Sequence, residues 1–361
     1  MTKFTARAAT AAEVERWDEL VPANPLGGNV LQSGPFSRVK QRQGWTPIHL
    51  AVESEAYTSY VIAYQRSIPA LGALWYLIKG PDTAVPEDIP PFTDAVVAYA
   101  RRQPGRVFAV KIEPDVPDSD EVRALFTGAG LVKSFNIQAN DSTALLDLTP
   151  DENQLLRNLS SRGRNAVRRA LRDGVQAQRV EPSEETYRTM YALIGQAQQG
   201  RLSAVPRPYE YYRGFWQEFV DAGMGRFYFV FEDGRPSVGA FVILYGEKAT
   251  YKDGGSLPKR SQYGDSHLVQ WEAILDMKRL GAREYDFCGT PPADRLKDKD
   301  HPQYGLGMFK TSFTKTVTDF AGCYDAVVRP RTYRVWQAMG ERVARQIHWR
   351  RSILRSRSPS W

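Results

Sequence analysis

The chain has 361 residues, 42% of them apolar and 25% charged, which is enough to build the cores of two domains of ordinary size. Two cysteines and four histidines without ligand-like spacing argue against a disulfide framework or a metal centre, and no apolar run is long enough to span a bilayer. A net charge of +7 suits a polyanionic partner (RNA, a phosphorylated metabolite or an anionic membrane surface) but does not choose among them.

In chain order, a strand near Phe4 to Ala8 leads to a helix over Ala11 to Leu20, whose Glu13, Glu15 and Asp18 argue against a secretory signal and for a cytosolic, reduced protein. Gln32 to Gln43 reads as a second helix. Ile48 to Glu53, Tyr60 to Ser67 and Leu74 to Ile78 read as strands, Phe92 to Gln103 as a helix, and Val107 to Glu113 and Leu145 to Leu148 as strands. A second round follows. Helices are expected at Asp151 to Asp173, Glu184 to Gln199 and Tyr209 to Gly223, then strands at Gly225 to Glu232 and Val238 to Tyr245. The repeated element order points to two similar α/β lobes, each an antiparallel-rich sheet flanked by helices.

Within Asp151 to Asp173, Leu156, Leu159, Ala166, Val167 and Ala170 mark a buried stripe, while Arg157, Arg164, Arg168 and Arg172 align on another face, widened by Arg162 and Arg169. Like charges at i,i+4 cost roughly 0.2–0.5 kcal/mol per pair in an isolated helix, so an anionic partner is the favoured reason for tolerating them. The tail from Arg342 to Trp361 holds six arginines and no acid. It is either a solvated end or an electrostatic contact with RNA or anionic lipid.

Residues 251 to 324 carry the densest signal. Tyr251-Lys252-Asp253-Gly254-Gly255-Ser256 leads through a glycine turn to a helix over His267 to Gly281, a strand over Glu284 to Gly289, and a basic, glycine-rich loop, Gly305-Leu306-Gly307-Met308-Phe309-Lys310-Thr311-Ser312-Phe313. Tyr251-x-x-Gly254-Gly255-Ser256, Leu268-x-x-Trp271-Glu272-Ala273-Ile274, Gly281-x-x-x-Tyr285-Asp286-Phe287-x-Gly289 and Gly305-Leu306-x-x-Phe309-Lys310-x-x-Phe313 stand in the order that the Fem peptidoglycan-bridge aminoacyltransferases show, and Asp319-Phe320-x-Gly322-x-Tyr324-Asp325 continues it. Leu31-Gln32-Ser33, Lys40, Gly44-Trp45 and Arg162-x-Arg164-Asn165-x-x-Arg168 extend the resemblance over most of the chain.

The resemblance implies an α/β fold of two tandem GNAT-like lobes, without a coiled-coil insertion. The lobes would span 1–149, completed by 318–361, and 150–317. It implies a cytoplasmic, monomeric, tRNA-dependent aminoacyltransferase that uses no cofactor and no metal. Aminoacyl-tRNA is the co-substrate, the acceptor is a UDP-MurNAc-peptide or its lipid-linked form, and the enzyme touches the inner membrane surface peripherally. By the same resemblance Lys40, Arg207, Tyr211 and Tyr251 bind the acceptor's diphosphate, Arg207 and Tyr211 sharing a face at i,i+4. Phe309 and Lys310 are the catalytic pair at the tRNA acceptor end, Phe309 stacking the terminal base and Lys310 stabilising the oxyanion. Arg164 and Arg168 are assigned to tRNA.

Glu113 is a weak candidate for the base that takes the acceptor's proton. Thr314 and the Gly264-Asp265-Ser266-His267 lead-in depart from the family pattern. Two other readings stand beside this one: an acyl-CoA-dependent N-acyltransferase, although Gln41-x-x-Gly44-x-Thr46 is only an incomplete pyrophosphate turn, and a non-catalytic protein that binds RNA or a membrane surface.

Overall fold

A computed structural model describes residues 2–138, 141–198 and 207–340; the arginine-rich tail falls outside them. The chain divides into two compact units. The first runs to Asp141 and takes up the chain again from Asp319, and the second is Ser142–Thr318.

In the first unit, β1 (Thr5–Ala8), two short helices α1 (Ala11–Glu15) and α2 (Trp17–Leu20), and α3 (Gly34–Arg42) precede β2 (Thr46–Glu53), β3 (Thr58–Ile68) and β4 (Gly72–Leu77). The crossover helix α4 (Ile89–Arg101) leads to β5 (Val107–Ile112), then α5 (Asp120–Gly128) and β6 (Val132–Lys133). In the second unit come β7 (Ser142–Asp147), α6 (Glu152–Asn158), α7 (Ser161–Arg172), β8 (Ala177–Val180), α8 (Glu184–Gln198) and α9 (Tyr209–Asp221). Strands β9 (Gly225–Glu232), β10 (Arg235–Tyr245) and β11 (Lys248–Ser256) follow, then the crossover helix α10 (Asp265–Arg279), β12 (Glu284–Asp286), α11 (Tyr304–Lys310) and β13 (Val317–Asp319). Strand β14 (Tyr324–Val327) and α12 (Pro330–Val335) return to the first unit.

Each unit holds a seven-stranded sheet, in the orders β1-β2-β3-β4-β5-β14-β6 and β13-β7-β12-β11-β10-β9-β8. The two share one plan. Four strands run antiparallel, then a single parallel joint follows (β4 with β5, β11 with β12), an antiparallel strand from elsewhere in the chain (β14, β7) lies beside it, and one more short strand (β6, β13) ends the sheet. The parallel joints require crossovers, which α4 and α10 supply. Phe92, Val96 and Ala100 of α4 pack with Trp75, Leu77 and Val110 of the sheet, while Leu268, Ile274 and Met277 of α10 share a core with Tyr228, Val242 and Tyr285. These paired sheets are the tandem arrangement that the sequence implied.

The chain's return is anchored by charge. Lys111 of β5 and Asp325 of β14 are register partners, and Lys111 Nζ lies 2.8 Å from the Asp325 carboxylate. Tyr333 donates to the same carboxylate at 2.9 Å. Removing either charge would strand the other in the core.

Three expectations need correction. The strand near Leu145 belongs to the second sheet, pairing with β12, so it does not close the first lobe. The long helix from Asp151 is two helices. Leu159 and Ser160 adopt extended ψ values of 150° and 157°, and the Ser160 hydroxyl caps α7 by accepting the Gly163 N–H at 3.1 Å. Arg157 therefore sits on α6 while Arg164, Arg168 and Arg172 sit on α7. Ser160→Ala is expected to cost about 1 kcal/mol, the usual value of an N-cap, in urea denaturation followed by circular dichroism. Lastly, Gly305 to Lys310 lies in a helix, where the sequence suggested a loop.

Candidate active site

The parallel pairing of β11 with β12 covers only three positions, ending at Thr250 opposite Asp286. Beyond it β11 runs on to Ser256 paired with β10 alone, and a bulge at Lys252 bends it away: Phe241 faces Asp253, but Val242 faces Tyr251. The divergence opens a cleft of about 440 Å³ walled by Tyr251 and Gly254 to Pro258, by the first turns of α10, and by Gly305, Leu306 and Phe309 of α11. In the first unit, by contrast, the Glu113 N–H stitches the end of the parallel pair by donating to the carbonyls of Leu77 and Gly80 at 3.2 and 3.0 Å.

Close approach explains the glycine pair. A Cβ on Gly254 would lie 1.6 Å from the Tyr251 hydroxyl, so the tyrosine ring folds over that glycine. A Cβ on Gly255 would lie 2.4 Å from backbone atoms of Leu193 and Ile194, so α8 packs directly on the strand. Gly307 plays the same part in α11, where a Cβ would meet Pro291 at 2.6 Å. Glycine there serves packing, and the helix persists in spite of its low propensity.

Phe309 lines the cleft. Its ring meets His267 edge to face at 5.1 Å and Phe313 at 5.4 Å. Lys310, its neighbour, is buried and does not line the cleft. Its ammonium donates to the carbonyls of Cys288 and Gly289 at 2.7 and 2.8 Å, holding the turn that leaves β12. Cys288 takes the left-handed region, φ 54°, with its N–H bound to the Asp286 carboxylate at 2.6 Å. Burial lowers the Lys310 pKa from its ordinary value, against the opposing pull of Cys288 and Asp286.

Arg207 and Tyr211 do come together. Arg207 lies just ahead of α9, and its guanidinium carbon sits 4.1 Å from the Tyr211 ring centroid. Lys252, which the sequence did not single out, lies over Phe215 of the same helix at 4.7 Å and pairs with Asp253 at 2.9 Å. Tyr251 lines the cleft, and burial raises its pKa well above the ordinary tyrosine value. Lys40 belongs to the first unit, where it is buried with its ammonium 5.4 Å from the Phe36 ring and 5.6 Å from that of Trp45. Arg168 is exposed on α7, whereas Arg164 spends one guanidinium nitrogen on the carbonyls of Arg157 and Leu159, at 2.8 and 3.0 Å. Glu113 is buried and accepts from Tyr76, and loss of hydration raises its pKa despite the opposing charge of Lys79.

Sequence reasoning missed the support behind Phe309. His267 stacks on Phe313 at 5.4 Å and 25°, and its Nε2 lies 3.1 Å from the Ser312 hydroxyl. That hydroxyl already donates to the Phe309 carbonyl, so His267 is the donor to it, in the neutral Nε2–H tautomer. Burial, helped by Arg162, lowers the His267 pKa to about 4, against the pull of Asp265. The signal was the unusual Gly264-Asp265-Ser266-His267 lead-in. Asp265 pairs with Arg260 at 2.5 Å, and Gly264 lets the helix start approach Ala166 of α7, whose carbonyl oxygen a Cβ would meet at 2.3 Å. Thr314, the other departure, donates its hydroxyl to the Leu145 carbonyl at 2.7 Å and fastens the end of this segment to β7.

Residues 160–298 match a family profile described as an acetyltransferase (GNAT) domain. The lipid II:glycine glycyltransferase of Staphylococcus aureus (strain MRSA252) is 20% identical over 410 aligned residues, covering 91% of this chain and 94% of the relative. Its namesake from Staphylococcus epidermidis (strain ATCC 12228 / FDA PCI 1200) is 21% identical, covering 92% and 95%. Among solved structures, FemX matches with a TM-score of 0.78 at 18% identity, covering 92% of this chain and 99% of FemX. L-PGS from Bacillus licheniformis reaches 0.50 at 14% identity, covering 93% and 97%.

Proposed function

We propose that this chain, a relative of the Fem-type transferases with their tandem GNAT-like fold, moves an aminoacyl group from the 3′ ester of an aminoacyl-tRNA to an amine of a lipid-linked peptidoglycan stem peptide. The observation that carries this reading is the cleft at the splayed joint of β11 and β12, ending at Phe309 and backed by Lys310. Nearly full-length similarity to proteins named as lipid II:glycine glycyltransferases supports the choice of acceptor.

The acceptor amine attacks the ester carbonyl carbon, forming the C–N bond and turning the carbonyl oxygen into an oxyanion. Collapse expels the ribose oxygen, which takes up the proton that the amine gives up. Phe309 offers a face to the terminal base, a contact worth about 1–3 kcal/mol. Lys310 has three N–H groups, and the turn carbonyls take two; because Lys310 does not itself line the cleft, its third N–H serves the oxyanion only where the ester carbonyl comes up to the Cys288–Gly289 turn. Arg207, seated on Tyr211, offers a forked donor edge to the acceptor's diphosphate. The reaction takes place at the membrane surface because its acceptor is there; among the described residues no helix is long and apolar enough to cross a bilayer.

The test is amino-acid transfer from charged tRNA to the lipid-linked and UDP-linked precursors, read by mass spectrometry. The expected product carries one more aminoacyl mass, and RNase abolishes it. Lys310→Met should lower kcat about 10²–10³-fold, with KM for the acceptor little changed. Transfer that persists after RNase and depends on acyl-CoA would replace this reading with the acyl-CoA one, which the acetyltransferase match also accommodates.

A further inference from the structure

Helix α7 buries Gly163, Ala166, Val167 and Ala170 and turns Arg162, Arg168, Arg169 and Arg172 outward. Arg168 and Arg172 stand four positions apart and Arg162 and Arg169 seven, so all four lie on the side away from the core. Acids are scarce there. Asp173 is shared by Arg169 and Arg172 at 3.3 and 3.4 Å, and Glu232 is turned to the Ser261 N–H at 2.9 Å. Arg162 and Arg168 make no hydrogen bond or ion pair among the described residues.

Two large apolar side chains are exposed on the flanks of these arginines. Leu171, 53% exposed, follows Arg168 by three positions, and Tyr263, 48% exposed, lies 4.4 Å from the Arg169 guanidinium carbon. A bilayer interface takes both kinds of group at once. The apolar side chains enter the boundary between headgroups and acyl chains while the guanidinium groups stay with the lipid phosphates. RNA phosphates would meet the arginines and leave Leu171 in water. Tyr263 belongs to the loop between β11 and α10, which also rims the cleft through Leu257, Pro258 and Arg260. One short segment therefore joins the cationic face to the cleft.

We propose that the arginine face of α7, flanked by Leu171 and Tyr263, docks the protein on an anionic phospholipid bilayer. The inference rests on the lipid-linked acceptor of the reading above and names the surface that brings the protein to it. Each exposed arginine adds to the attraction for anionic headgroups, and salt screens it. Docking through this face sets the loop from Leu257 to Gly264 at the membrane, so a lipid-linked acceptor enters the cleft while its lipid stays in the bilayer. The arginines were visible in the sequence, but Tyr263 is far along the chain from Arg169 and joins it only through the fold.

The test uses the full chain, arginine-rich tail included, so that the variants report on α7 against a constant background. Vesicles of phosphatidylcholine, with and without phosphatidylglycerol, are sedimented with the protein at low and at physiological salt. Binding is expected only where phosphatidylglycerol is present, and weaker in salt. Arg169→Ala/Arg172→Ala should weaken it about tenfold through lost charge, and Leu171→Ser/Tyr263→Ser about tenfold through lost apolar contact. All four positions are exposed, and unchanged melting temperatures should accompany both losses. Transfer to the lipid-linked acceptor in these vesicles should fall with binding, while transfer to the UDP-linked precursor in solution stays at the parent's rate. If both variants bind vesicles as the parent does, the docking face is overturned and the transferase reading stands. If the parent binds vesicles through this face but transfers to neither acceptor, the transferase reading falls and the docking face stands. If the arginine variant loses affinity for tRNA and the Leu171/Tyr263 variant keeps its hold on vesicles, the face belongs to RNA and the inference is overturned.

Discussion

Gly255→Ala is expected to lower the melting temperature of the protein by roughly 6–12 °C. The added methyl would sit 2.4 Å from the Ile194 amide nitrogen and the Leu193 carbonyl carbon. Neither atom can turn aside, because both belong to the backbone of α8. That helix cannot retreat cheaply either, since Tyr187, Met190, Leu193 and Ile194 are all buried. On its other side β11 is held by β10, with Gly255 opposite Gly239. A Cβ on Gly239 would itself meet Met190 and Phe229 at 2.8 Å, so the pair has no slack. Overpacking of this kind costs about 3 kcal/mol or more, and at roughly 2–4 °C per kcal/mol for a unit of this size the stated shift follows.

Gly254→Ala is the control, because the atom it meets is the far end of a side chain, the Tyr251 hydroxyl. Tyr251 can swing towards the open cleft, so transfer should suffer while melting changes little. Circular dichroism melts of both variants decide the matter. Equal melting temperatures for Gly255→Ala and the parent would mean that α8 does not press on β11 as closely as described.

These glycines also show what was legible in the sequence and what was not. The pair at 254–255 and the glycines at 305 and 307 marked the right place. They suggested turn and loop, however, because conformational freedom is the property of glycine that shows locally. Here Gly255 makes room for the backbone of α8, a partner far away in the chain, and Gly254 and Gly307 make room for the side chains of Tyr251 and Pro291, whereas Gly305 has open space beside it. The break at Ser160 was hidden for a related reason: the apolar stripe runs through it unbroken, and only the extended ψ of Leu159 and the cap on Gly163 reveal it. Helix α5 was missed although Ser119 caps it and Asp120 and Glu121 open it, signals that a pass weighted towards apolar periodicity does not collect. The sheet plan is non-local in the same way. The return of the chain's end to the first unit came only from the resemblance to the Fem family, while the parallel joints and the place of β7 in the second sheet were not foreseen at all.

His267 should make the second unit acid-sensitive between pH 6.5 and 4. In the unfolded chain the imidazole takes its proton near 6.5, whereas in the fold burial holds its pKa at about 4. Within that window the unfolded state binds more protons, so unfolding free energy falls as pH falls. The stability is fully present above 6.5 and is lost on the way down to 4. A shift of this size corresponds to about 3 kcal/mol at most, a sizeable share of the roughly 5–15 kcal/mol of a whole domain. The charged groups facing the ring are Arg162, which opposes protonation, and Asp265, whose pull is shared with Arg260.

Carboxylates and the half-buried His49 of the first unit, whose pKa burial lowers, add acid sensitivity of their own, so the difference between parent and His267→Phe is the quantity to measure. Phenylalanine keeps the ring between Phe309 and Phe313 and cannot take a proton. Urea denaturation at pH 7, 5.5 and 4.5 should show the parent losing ground to the variant by about 1–3 kcal/mol. Curves that run parallel would mean that the imidazole is charged within the fold. The Ser312 hydroxyl would still accept from it, but a cation would then lie 5.1 Å from the Phe309 ring, behind a cleft wall that the structure makes apolar.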